Sequence, residues 1–96
     1  MKYLLNEGVV LFHPVLDKEN SYVTIVCSPN DGNFHRVNQL GYWTLKFLDE
    51  HPKSSLGQVV ENVALKIHTP PWQIEKNIRN LIAKMMGEAV ILEKNE

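Results

Sequence analysis

The sequence predicts one α+β domain, residues 1–96, in which a three-stranded antiparallel β-sheet is followed by three helices. Three observations predict it. The first third of the chain is rich in β-branched residues set between turn-forming clusters. From Asn38 onward the apolar spacing changes from the period of a strand to that of a helix. Two further amphipathic stretches then follow, one opened by a capping pair and the other by prolines.

The elements follow in order. Val9 to His13 reads as a first strand stopped by Pro14, and Tyr22 to Ser28 as a second. The polar segment Pro14–Asn20 joins them as an antiparallel hairpin. In the second strand Val23, Ile25 and Cys27 share one face, and Tyr22, Thr24 and Val26 the other. The turn segment Ser28–Asn33 leads into a short third strand, Phe34 to Val37. Asn38 then caps a first helix, because its side-chain oxygen accepts a bond from an otherwise unpaired backbone N–H. Leu40, Trp43, Phe47 and Leu48 follow at helical spacing up to Pro52. Ser55 and Gln58 have capping-box spacing, and Leu56, Val59, Val60, Val63, Ala64 and Ile67 form one stripe of a second helix. Thr69 is the expected cap of the third helix, with Pro70 in its first turn. Ile74, Ile78, Leu81, Ile82 and Met85 line one face of that helix, Glu75 and Arg79 pair on another, and Gly87 is the expected terminator. Ala89 to Leu92 reads as a last short strand. The whole order is winged helix-turn-helix-like, with the sheet placed first.

Bulk properties exclude several functions. A formal net charge of −1 gives no electrostatic reason for nucleic-acid binding. The single cysteine, Cys27, permits no internal disulfide and fits a reducing compartment. The first residues lack the long apolar core of a secretory signal, and no run approaches the roughly 20 apolar residues of a membrane span. A soluble, cytoplasmic domain is expected.

Catalysis needs a constellation, and the sequence offers none. His13, His35, His51 and His68 stand singly, without metal-ligand spacing. Cys27, alternating with Val23 and Ile25, reads as a buried, unreactive thiol. Asp49 and Glu50 sit at a helix end as solvated surface, and the five glycines form no phosphate loop. No enzymatic activity, metal or cofactor is expected.

Two features exceed what a core requires. The third strand carries His35 and Arg36, which fits either an edge protected by charge or an edge kept available. On the third helix Glu75, Arg79, Ala83 and Met86 form a small-and-polar strip, either a solvated face or the second wall of a groove. A short sheet edge beside such a helix is how a site for an extended peptide is built.

The stretch FHRVNQLGYWTLKFLDEHPKSSLGQVVENVALKI, with the later IRNLIAKMMGEAVIL, resembles the PqqD-like family, the precursor-peptide recognition elements of ribosomal peptide natural-product (RiPP) biosynthesis. The likeness lies in order and spacing: a short strand into Val37-Asn38, a glycine near the helix start at Gly41, the pair Trp43 and Leu45, and two further helices. The resemblance implies a non-catalytic domain that binds the leader segment of a precursor peptide. The leader adds as a strand to the third strand and packs against the third helix. By position, the implied contacts are Phe34, His35, Arg36 and Val37, with Glu75, Arg79, Ile82, Ala83 and Met86. It also implies delivery to a separate modifying enzyme, a radical-SAM protein or a lasso-type leader peptidase and cyclase. His35 departs from the apolar residue many relatives carry, and Trp72 in TPPW fits core, groove rim or partner surface. Two alternatives stand beside this reading. One is a winged-helix DNA-binding protein using Lys76, Arg79 and Lys84, opposed by Glu75, Glu88 and the overall acidity. The other is a dimeric interaction subunit that pairs through its exposed edge.

Overall fold

A computed structural model describes residues 1–16, 22–28 and 32–94. The strands are β1 (Lys2–Leu5), β2 (Val10–Leu11), β3 (Val15–Leu16), β4 (Tyr22–Cys27), β5 (Phe34–Val37) and β6 (Ile91–Lys94). The helices, all between β5 and β6, are α1 (Gln39–Glu50), α2 (Leu56–Ile67) and α3 (Pro71–Gly87). The α+β class holds, with antiparallel strands and three helices, but the sheet differs from the expected three strands.

The expected first strand, Val9 to His13, is shortened to β2, and β3 lies in the Pro14–Asn20 segment expected only to join the hairpin. β2 and β3 both pair with β4 on the same side, Val10 opposite Cys27 and Val15 opposite Val23, with Pro14 between them. Proline has no N–H to give the ladder, so the strand breaks where it stands. β5 pairs with the other side of β4, in a register that sets Thr24 opposite Val37 and Cys27 opposite Phe34. Gly32 carries the positive φ of 70° that the turn into β5 requires. The rest of the two expected turns, residues 17–21 and 29–31, lies outside the described residues.

A separate two-stranded ribbon of β1 and β6 joins the ends of the described chain, with Leu5 opposite Ile91 and Lys2 opposite Lys94. The last strand is thus Ile91–Lys94 rather than Ala89–Leu92, and its partner β1 has no strand-like alternation to announce it. Asn6 ties the ribbon to the end of α3: its backbone N–H donates to Val90 O at 2.9 Å and its side-chain amide to Ala89 O at 2.8 Å.

One core joins these parts. Val26 and Val37 of the sheet meet Leu45 and Leu48 of α1, Val59, Val60 and Val63 of α2, and Ile74, Ile78, Ile82 and Met85 of α3. Each such side chain contributes roughly 1.5–3 kcal/mol on burial. The buried face of α1 centres on Gly41, Thr44, Leu45 and Leu48, while Leu40, Trp43 and Phe47 lie on its half-buried flanks. Thr44 satisfies its hydroxyl by donating to Leu40 O at 2.8 Å.

The caps divide into kept and displaced. Asn38 Oδ1 accepts from Gly41 N at 3.0 Å, and Ser55 and Gln58 form the reciprocal capping box. Thr69, however, does not cap α3. Pro70 occupies the cap in extended conformation and Pro71 is the first helical residue. A residue before proline is pushed out of the helical region, so the helix starts at the second proline. α3 does end at Gly87, but that glycine is not left-handed. The left-handed residue is Ala89 at φ 60°, where the chain reverses to bring Val90 and Ile91 into the core.

Cys27 is also placed differently from expectation. The buried face of β4 carries Thr24 and Val26, whereas Ile25 is 40% exposed and Cys27 half-buried. Both faces of this strand are apolar in sequence, so alternation defines two faces without saying which turns inward.

Candidate functional site

Among the described residues, β5 is a four-residue strand with a partner on one side only. Its backbone directions follow from the bonds beside it. Phe12 N–H donates to Ile25 O at 3.0 Å, so the odd-numbered residues of β4 direct their backbone groups toward β2. Ser28 N–H donates to Asn33 O at 2.8 Å, so the even-numbered residues direct theirs toward β5. His35 and Val37 therefore bond Val26 and Thr24, and Phe34 and Arg36 aim their N–H and C=O groups at the open edge. No described residue takes up those groups.

Gly41 holds this strand close to α1. A Cβ on Gly41 would lie 2.8 Å from Val37 Cβ, closer than carbon atoms pack. Only glycine allows α1 to cross β5 at this distance. Beyond the open edge lies a hollow of about 320 Å³, lined by Arg36, Val37 and Asn38 on one side and Leu81, Lys84 and Met85 of α3 on the other. It continues into a second hollow of about 280 Å³ that adds Leu40, Asn77 and Asn80. The far end of the strand is tied down. Ser28 Oγ donates to Glu88 O at 3.0 Å, and His35 Nε2 lies 3.7 Å from Glu88 Oε2. That separation is too long for a hydrogen bond, and this nitrogen is buried without another partner among the described residues.

The outward face next to the edge is apolar. Phe34 is 66% exposed, with its ring centroid 6.3 Å from that of Phe12. Val10, Phe12 and Ile25 are exposed on the same sheet.

Of the residues singled out from sequence, Phe34, His35, Arg36 and Val37 lie together on β5. The α3 set lies elsewhere. Ile82 is 2% exposed and belongs to the core, so it has no surface for a guest. Glu75, Arg79, Ala83 and Met86 fall on the opposite side of the buried stripe from Asn77, Leu81 and Lys84. There Glu75 and Arg79 approach each other at 3.9 Å. The residues of α3 that line the hollow, Asn77, Asn80, Leu81 and Lys84, are not among the implied peptide contacts; the sequence places Leu81 on the core face and Lys84 only in the DNA-binding alternative. Their signal was Leu81, an apolar residue set wide of the Ile74–Ile78–Ile82–Met85 stripe on that flank. Trp72, at 77% exposure, is not core and does not line the hollow.

The described surface holds other hollows as well. One of about 460 Å³ lies between α2 and the start of α3, lined by Ala64, Leu65, His68 and Pro71 among others. Among the described residues, no cluster of His, Cys, Asp and Glu has metal-binding geometry, and no helix is long and apolar enough to cross a membrane.

No family model and no curated protein matches this chain. Among solved structures the fold is similar to that of TbiB1, determined in complex with the TbiA(beta) leader peptide. The TM-score is 0.72, and the match covers 97% of this chain and 99% of that one at 12% identity. At that identity the likeness is one of fold.

Proposed function

We propose that this domain binds the leader segment of a ribosomally made precursor peptide by adding it as a strand to the open edge of β5. The observation that carries the reading is the edge itself: two residues, Phe34 and Arg36, with unused backbone groups beside a hollow walled by α3. A guest strand gains main-chain bonds along the edge and places alternate side chains in the hollow, the general mode of strand-addition recognition. The fold shared with a protein solved on a leader peptide supports the same reading. The helix wall consists of Asn77, Leu81 and Lys84 in place of Glu75, Arg79, Ala83 and Met86. In this reading the domain has no catalytic step of its own. It acts in the cytoplasm, presenting the bound leader to a separate modifying enzyme, a radical-SAM protein or a leader peptidase and cyclase.

The test is an NMR titration of isotope-labelled protein with the leader peptide encoded nearest its gene, run beside a short DNA duplex. Saturable shifts confined to Phe34–Val37 and the Asn77–Lys84 flank are expected, with no response to DNA. Shifts produced by DNA alone would return the domain to the winged-helix DNA binders. Concentration-dependent shifts at β5 without any peptide would make a second copy the occupant of the edge.

A further inference from the structure

Resting on the strand-addition reading above, we infer that the guest segment carries an apolar side chain and a carboxylate two residues apart. The spacing comes from the backbone. Only Phe34 and Arg36 direct their N–H and C=O groups outward, so the guest residues lying opposite them are two apart along the guest chain. Their side chains stand on the same outward face as Phe34 and Arg36, as cross-strand neighbours do. Reversing the guest strand reverses the order of the two residues and leaves the spacing unchanged. The side chain between them turns inward, toward Val37 and α3.

The chemistry comes from what each of the two strand residues presents. Phe34 is an exposed ring flanked by Phe12 and by Ile25 across the sheet. A polar guest residue there leaves this apolar patch in water, whereas an aliphatic or aromatic one covers it. At the other position Arg36 is exposed and, among the described residues, has no acidic partner. The hollow it lines also holds Lys84, while Asn38, Asn77 and Asn80 supply amides, and among the described residues no carboxylate lines it. Glu88, one turn beyond Lys84 on the helix side, approaches His35 instead. A chain whose formal net charge is −1 therefore keeps two cations beside its open edge that have no ion-pair partner among the described residues. A guest carboxylate on the outward face answers Arg36, which offers it the planar fork that suits two-point contact, and the Lys84 charge adds to the pull on an acidic segment.

The experiment is selection of an mRNA-displayed library of random dodecapeptides on the wild-type protein and on Arg36→Glu, Arg36→Gln and Phe34→Ser. All three substitutions fall on exposed side chains, and circular dichroism verifies that each variant is folded. Wild-type pools are expected to enrich Asp or Glu two positions from Leu, Ile, Phe, Tyr or Trp. Arg36→Glu pools should exchange the acid for Lys or Arg while keeping the apolar residue. Arg36→Gln pools should lose the charge preference, and Phe34→Ser pools should lose the apolar one. A synthetic wild-type binder should weaken about fivefold on Asp→Asn, in line with an exposed charge-assisted contact. Peptides that shift β5 resonances but carry no preferred acid, or identical pools from wild type and Arg36→Glu, would overturn the inference while leaving strand addition standing. Failure of the wild type to enrich any peptide would overturn both.

Discussion

β1 and β5 are strands of four residues each, and the chain treats their edges in opposite ways. β1 pairs with β6 on one side, and on the other Tyr3 exchanges both backbone bonds with Ser54, at 2.8 and 3.0 Å. β5 pairs with β4 and leaves Phe34 and Arg36 unbonded along its other side. The exposed edge is therefore not a consequence of smallness or of short strands. This domain closes the outer edge of β1 where the ends of the described chain meet and leaves the outer edge of β5 open beside α3. Closed edges contribute to stability, whereas an unpaired edge contributes little and remains a template for pairing. Substitutions around β1 and β6 should register in unfolding, and substitutions on β5 should register in binding.

The largest effect should come from the closed region. Ile91 on β6 is 1% exposed, and Ile91→Ala should lower stability by about 3 kcal/mol, read by urea denaturation. A loss under about 1 kcal/mol would mean the ribbon is an appendage rather than part of the core. Gly41→Ala comes next, because the added methyl meets Val37 at 2.8 Å. It should cost about 2 kcal/mol and, in NMR spectra, displace β5 more than any other strand. Arg36→Pro sharpens the comparison most. It removes an N–H that faces the open edge, so stability should change by less than about 0.5 kcal/mol, while affinity for a bound peptide falls about tenfold. His35→Pro removes an N–H that faces β4 and should instead unfold the hairpin. Equal behaviour of the two variants would show that the backbone directions on β5 have been misassigned. The smallest effect is a gain: Ala89→Gly relieves the left-handed residue before β6 and should stabilise the domain by about 1 kcal/mol, seen as a raised melting temperature.

Local chemistry was legible wherever the relevant partners are close in sequence. The Asn38 cap and the Ser55–Gln58 box each involve residues three apart, and the α2 stripe repeats within two turns, so periodicity located them. The same locality misled at α3. Two prolines in succession offered two starts, and Gly87, where the helix does end, leaves the left-handed turn to Ala89. β1 was invisible because its partner β6 lies at the other end of the described chain, and nothing in Lys2–Leu5 reports a partner so distant.

By itself the sequence determined the class of the domain, the helix positions, and the third strand as the place where polar residues interrupt an apolar sheet. Those are properties of a segment and its immediate neighbours, encoded in spacing and capping. Tertiary structure alone decided which face of β4 is buried, which backbone groups of β5 are spent on β4, and which flank of α3 looks onto the open edge. Both faces of β4 are apolar and both flanks of α3 are largely polar, so each choice is nearly degenerate locally. It is settled by the direction in which the connected elements must pack to bury Val26, Leu45, Val63 and Ile78 in one core.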